Sequence, residues 1–316
     1  MRRIVSAGAR LLISAGVMAV LLTRMDLSAL RAAFAQVRPA HVLAAVAVYT
    51  AAQLVSSLRW HVLGRSLGFG APWRFLAATY FAGMFCNLFL PTSMGGDVLK
   101  AWRVWHREKK GWMSLVSVLA DRGFGLLALI WIGGTAVWLV PAAATVPGLR
   151  SLFAALGAGA LCAVMLAPQL AVPLERVRHI RGLAEGTRMI YRRPLTPLLV
   201  VALSLLIQGA GVAIVILYAR MLGMELSVPL AAMAFSAATV LTLLPVSLNG
   251  IGVREAGYAA LLGIGGVAPE QAFTLSLLVF FTQSAVSLAG AVPFVLDGGM
   301  ERAPESESES ESELES

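Results

Sequence analysis

The chain has 316 residues, of which 58% are hydrophobic and 13% charged, about half the charged share of an ordinary soluble domain. That composition excludes a water-soluble globular protein and makes lipid the solvent. The formal net charge is +8, but seven of the 17 acidic residues fall in the last 16 positions, so residues 1–300 carry 24 Lys and Arg against 10 Asp and Glu, a body of +14.

Six apolar runs reach the length of roughly 20 residues that a helix needs to cross a bilayer: 4–23, 40–60, 113–140, 149–172, 195–220 and 269–296. The first has basic flanks but no clear small-x-small cleavage site, and Arg10 interrupts it, so it reads as a retained first helix. Residues 26–37 have helical amphipathic spacing and suit the outer interface. Two further apolar stretches, 75–90 and 228–247, each run into a Pro/Ser/Gly segment and are followed by short, partly apolar pieces, 97–106 and 253–264. Sixteen helical residues reach only about 24 Å, so the first pair reads as a re-entrant hairpin. The second is nearer spanning length, and its re-entrant reading rests on analogy with the first. Residues 174–193 form an Arg-rich connection, and the Glu-Ser repeat from Glu305 has almost nothing apolar to bury.

The expected fold is all-α integral membrane, with about six full transmembrane helices plus two re-entrant helical hairpins in an inverted-topology repeat. Residues 1–300 form a single transmembrane domain: 1–39 hold the first and interfacial helices, 40–140 repeat 1, 141–194 a connecting helix and cytoplasmic loop, and 195–296 repeat 2. Residues 301–316 are a disordered acidic tail. With a cytoplasmic N-terminus, the inner segments hold sixteen Lys and Arg, Arg59 among them, against five outside, so both termini are assigned to the cytoplasm. The basic residues lie in short loops without a nucleic-acid motif, and no nucleic-acid partner is expected.

One internal match has chemical content. Residues 90–100 and 244–254 both fit L-P-x-S-x-x-G-x-x-x-[K/R], aligning Pro91 with Pro245, Ser93 with Ser247, Gly96 with Gly250 and Lys100 with Arg254. An odd number of crossings separates the copies, so they point in opposite directions, as in inverted-repeat transporters with broken helices at the midplane. Proline ends the incoming helix, glycine allows close backbone approach, and the next helix offers free N–H groups at its positive end. The expected phosphate seat comprises Lys100, Arg254, Ser93, Gly95, Gly96, Ser247, Asn249, Gly250 and Gly252. Charges inside spans are costly and functional by default; Asp97, Asp121, Arg122 and Glu255 are assigned to charge balance or coupling. Pairing of Asp121 with Lys100, or of Asp97 or Glu255 with a basic residue of the other repeat, would lower that cost. The seven tryptophans are mostly placed at span ends as an interfacial belt. Cys86 and Cys162 lie in separate apolar segments, and no metal site, cofactor or catalytic group is assigned.

Arg59-Trp60, the run Asn87 to Asp97 (N-x-x-L-P-x-x-x-G-G-D), Asp121 to Gly123 and Pro245 to Glu255 together resemble the lysylphosphatidylglycerol synthase transmembrane family, the flippase-like module of multiple peptide resistance factors. The resemblance covers nearly the whole chain to about residue 297. It implies a multi-pass protein of the cytoplasmic (inner) membrane that handles a phospholipid or polyprenyl-phosphate-linked lipid. In the resistance factors the module moves an aminoacylated lipid outward and is fused to a soluble aminoacyl-transferase domain. Here little chain follows the last span, so the synthase activity is expected to be absent and the lysylated lipid is not selected as substrate.

The resulting expectation is a flippase-like transporter of an anionic lipid, with the membrane lipid as substrate. The rivals are an intramembrane lipid-modifying enzyme and a non-transporting membrane partner of a glycosyltransferase or synthase. A lipid-modifying enzyme or glycosyltransferase partner, and an oligomer, are compatible with the sequence.

Overall fold

Lipid offers a backbone no hydrogen bonds, so apolar segments must satisfy their amides internally, and helices do so along their whole length. A computed structural model describes residues 23, 26–89, 95–174, 181–243 and 250–296, and among the described residues there is no strand. Five helical stretches are long and apolar enough to cross a membrane: Pro39–Ser66, Gly111–Leu139, Leu149–Pro173, Leu195–Met221 and Pro269–Leu296. They correspond to five of the six expected runs. Of the sixth, 4–23, only position 23 is described, and the acidic tail lies outside the described residues.

Helix α1 (Leu27–Ala35) begins where the Asp26 carboxylate accepts from the amides of Ser28 and Ala29. Those bonds and one from the Ser28 hydroxyl hold the Asp26 carboxyl below its ordinary pKa, the hydroxyl contributing most. Helix α2 (Pro39–Ser66) starts on a proline, whose missing N–H costs nothing in a first turn. It ends at a turn through Gly68, at φ +79°. That turn is tied down from a distance: the Glu108 carboxylate accepts from the amides of Gly70 and Ala71 at 2.9 and 2.7 Å, and the Lys110 ammonium donates to the Gly68 carbonyl at 2.7 Å.

Helices α3 (Trp73–Phe89) and α4 (Gly95–Glu108) follow and pack against each other. At 17 residues α3 is about 25 Å long, short of the hydrocarbon thickness. The two backbones meet at glycines: a Cβ added to Gly96 would overlap the Gly83 carbonyl. Helix α5 (Gly111–Leu139) and a 3-10 turn (Pro141–Thr145) lead to α6 (Leu149–Leu174), which carries Pro168 and Pro173 and exposes most of its surface. The amphipathic α7 (Arg181–Tyr191) lies against α5, where Gly182 and Gly186 admit Trp112 and Val116. Helix α8 (Leu195–Met221) precedes a second helix pair, α9 (Val228–Leu243) and α10 (Val253–Gly263), where Gly257 packs on Ala238. The expected run 269–296 is two helices, α11 (Pro269–Leu288) and α12 (Ala291–Leu296), and Gly290 between them lets the chain lie against Phe81 of α3.

The helix contacts repeat when α2–α5 are exchanged with α8–α11. Helix α2 packs on α8 directly; α5 meets α9 as α11 meets α3; α2 meets α11 as α8 meets α5. Within each set, first meets second, second meets third and third meets fourth. Two apolar cores result. One, around Tyr218, Met233 and Leu275, joins α8, α9 and α11; the other, around Trp60, Leu76 and Val104, joins α2, α3 and α4.

Gly96→Ala should force α3 and α4 apart, because its new methyl meets backbone, at a cost of about 1–3 kcal/mol for overpacking. Gly123→Ala, whose methyl meets nothing within 4 Å, is the control. In detergent, the thermal unfolding midpoint should fall by several degrees for the first and stay near wild type for the second.

Candidate functional site

Between the two helix sets lies a cavity of about 360 Å³, walled by residues of α2, α3, α4, α5, α8, α9, α10 and α11. Lys100 and Arg254 both line it, as do Asp97, Asp121 and Arg122. The two halves of the repeated motif therefore contribute their cations to one chamber.

On the first side, charge is concentrated by three helices. Asp97 lies in the first turn of α4, where the helix dipole favours a carboxylate. Its Oδ1 is 3.1 Å from Lys100 Nζ, and its Oδ2 accepts from Arg122 Nε at 2.7 Å. Lys100 is 5% exposed; its Nζ also lies 3.8 Å from Asp121 Oδ2 and sits over the rings of Tyr80 and Trp60, at 4.5 and 5.3 Å from their centroids. Asp121 Oδ1 in turn accepts from Arg59, at 2.9 Å from Nε and 2.8 Å from Nη2. The remaining arm of Arg59, Nη1, donates to Ser204 Oγ at 2.8 Å, linking α2 and α5 to α8. Three cations thus face two carboxylates, leaving one positive charge in excess. Each charge of this cluster has an opposite partner, as the low dielectric requires.

The second side is simpler. Arg254 donates to Glu255 Oε1 through Nε at 3.1 Å and Nη2 at 2.8 Å, and its guanidinium lies 4.5 Å from the Phe280 centroid. Glu255 is fully buried behind Arg254, outside the cavity wall. It accepts from the Gly252 amide at 2.6 Å through Oε2 and from Ser276 Oγ at 3.3 Å through Oε1. Gly250 and Gly252 sit at φ +78° and +85°, a backbone region where a side chain is strained. This pair is electrically neutral.

Several expectations change here. Two of the glycine amides are already engaged: Gly96 N–H donates to Asn87 Oδ1 at 2.7 Å and Gly252 N–H to Glu255 Oε2, and Gly95, Gly96, Gly250 and Gly252 do not line the cavity. They act by close packing and turning, because a buried amide takes the nearest side-chain acceptor rather than waiting for a ligand. Asp97 and Glu255 pair within their own helix set rather than across it, since the partners on the same or the adjoining helix are nearer. Ser93, Ser247 and Asn249 lie outside the described residues. Trp60, fully buried and donating to Ser117 Oγ at 3.1 Å, belongs to no interfacial belt.

Counting Arg59 among the inner segments follows from an apolar run that ends at residue 60. Helix α2 continues to Ser66, putting Arg59 about two turns inside, and its guanidinium is 5% exposed. The available signal was Asp121, an acid in a span that needed a cation. Gln208 of α8 both faces the cavity and donates to the Gly125 carbonyl at 3.0 Å. Among the described residues no three His, Cys, Asp or Glu are grouped so as to hold a metal ion.

Comparison with known proteins agrees with the motifs: a family profile described as the lysylphosphatidylglycerol synthase TM region matches residues 9–290. No curated protein matches the chain.

Asp121→Ala strands the buried Arg59 guanidinium, and breaking such a pair costs about 3–5 kcal/mol. The double variant Arg59→Met/Asp121→Leu, which removes both charges, should recover much of that loss. Thermal unfolding of the purified proteins in detergent should place the double variant above Asp121→Ala.

Proposed function

Since the chain belongs to the lysylphosphatidylglycerol synthase TM-region family, we propose that it is a flippase-like transporter that moves an anionic phospholipid or polyprenyl-phosphate-linked lipid across the cytoplasmic (inner) membrane. The observation that carries this reading is the single chamber into which Lys100 and Arg254 both face. A phosphate entering it meets an excess positive charge from Arg59, Lys100 and Arg122 on one side and Arg254 on the other. Its oxygens can exchange with the carboxylates that hold those cations. Hydrocarbon chains stay in the bilayer throughout, so only the headgroup needs a polar path.

The exchange symmetry of the helix contacts supports an inverted-topology repeat, with α3–α4 and α9–α10 as re-entrant hairpins. In that arrangement alternating access follows from rocking one helix set against the other around the charged seat. The Arg-rich segments around α7 support cytoplasmic termini. We read the protein as a carrier with no catalytic step. Arg59, Lys100, Arg122 and Arg254 bind, Asp97, Asp121 and Glu255 hold them in register, and Tyr80 and Trp60 keep Lys100 oriented.

Reconstitution in vesicles containing a lipid with a reporter headgroup tests the reading through the rate at which the headgroup becomes accessible to a membrane-impermeant quencher. Lys100→Ala and Arg254→Ala should each slow that rate by about tenfold or more, as expected where a charge-assisted contact worth about 1.5–3 kcal/mol is lost. Arg150→Ala, at the start of α6, away from the cavity lining and bonded to the Val140 carbonyl, should not. Equal rates in all three would remove the site, and conversion of the lipid to a new product would favour the enzyme reading.

A further inference from the structure

Besides its charges, the chamber is lined by neutral polar side chains that the phosphate seat does not use. Gln53 of α2 is 8% exposed and Tyr258 of α10 is 1% exposed, and both face the cavity. Among the described residues neither the Gln53 amide nor the Tyr258 hydroxyl has a hydrogen-bond partner. The side-chain amide of Gln283, on the α11 wall, is likewise without one. A buried polar group left alone costs free energy in a low dielectric and needs an explanation. These three share one: each lines the same chamber. Their placement is coherent as well. Tyr258 stands one turn after Arg254 on α10, and Gln283 stands one turn after Phe280, whose ring lies beside the Arg254 guanidinium. On α2 the wall passes from Arg59 through Ser56 to Gln53, about 9 Å along the axis. Neutral donors and acceptors therefore flank Arg254 and extend along α2 away from the charged cluster.

The same wall offers an ammonium group nothing. Its described acidic side chains, Asp97 and Asp121, each hold two cations already, and Glu255 is engaged behind Arg254. An ammonium has three donors and no acceptor, so a buried one needs such a carboxylate. A hydroxyl both donates and accepts, as do a glutamine amide and a phenol, and the two sets can satisfy each other without any net charge. We propose that Gln53, Tyr258 and Gln283 form a subsite for an uncharged, hydroxyl-bearing headgroup, a polyol or a sugar, esterified to the phosphate that the cations hold, and that the chamber discriminates against headgroups carrying an amine. The subsite rests on the reading of the chamber as a lipid-phosphate seat, but not on movement across the membrane. It narrows that reading, because charge alone would accept any anionic lipid.

The test measures equilibrium binding of tail-labelled lipids to the full chain in detergent micelles. The probes are phosphatidylinositol, phosphatidylglycerol, lysyl-phosphatidylglycerol and phosphatidate, which has the phosphate and no headgroup alcohol. Tyr258→Phe and Gln53→Leu should each weaken phosphatidylinositol about fivefold, as the loss of one hydrogen bond does, and leave phosphatidate unchanged. Lys100→Ala should weaken both. Equal effects of Tyr258→Phe on the two lipids, or none on either, overturn the subsite, and Tyr258→Phe removes a single oxygen, so folding does not confuse the result. Lysyl-phosphatidylglycerol bound as tightly as phosphatidylglycerol by the wild-type protein also overturns the proposal. Soluble inositol phosphate should compete only in large excess; potency equal to that of the lipid would make the ligand a soluble ester and overturn the lipid assignment. Headgroup translocation of the same lipids is measured in vesicles. Binding that depends on Tyr258 without translocation sinks the transport reading and leaves the subsite; translocation with binding indifferent to Tyr258 and Gln53 does the reverse.

Discussion

A charge in the membrane interior must find its opposite, and the central structure follows from that requirement. Asp121 could not remain ionised alone in α5 without a cost of several kcal/mol. Arg59 answers it from α2, Lys100 from α4, and the third arm of Arg59 reaches Ser204 in α8. Four helices are thus fixed in rotation by one cluster, in a way that apolar packing between lipid-like surfaces would not achieve. Tyr80 and Trp60 complete the arrangement, since a ring face over the Lys100 ammonium replaces part of its lost hydration.

The scaffold around that cluster uses close contact where a soluble protein would use bulk. Gly83 on Gly96 and Gly257 on Ala238 draw each of the two helix pairs together. Close backbones gain dispersion, which matters more where no water is expelled. The same device occurs at α5 on α9, where Gly133 meets Ser236. Conversely, α6 stays loosely attached, with exposed Leu152, Leu161 and Leu170 along its length, as suits a helix whose neighbour is lipid.

The spans were legible because their signal is length and apolarity alone, and five of them fall within a few residues of the expected runs. Lys100, Asp121 and Arg254 were legible for a related reason: a charge has no structural excuse in such a run. What escaped was direction. Arg59 sits at the end of an apolar run, where a cation is cheap, and only the continuation of α2 for two more turns shows it to be buried. That the Gly96 and Gly252 amides are engaged is not legible either, because the sequence does not show that Asn87 and Glu255 stand within reach. Composition located the expensive residues; which partner satisfies each one depends on helix rotation, which no single segment encodes.

The clamp on the turn before α3 has a mechanical consequence. Glu108 fastens the C-terminal end of α4 to Gly70 and Ala71, its carboxylate accepting from both amides. Helix α4 is therefore a lever pivoted at Glu108, with Lys100 about 12 Å along its arm. A tilt of about 10° would swing Lys100 by about 2 Å, enough to part it from Asp121, 3.8 Å away, while Asp97, riding on the same lever, travels with it. A small rotation about Glu108 would thus open the contact of the lysine with Asp121 and leave its pair with Asp97 in place.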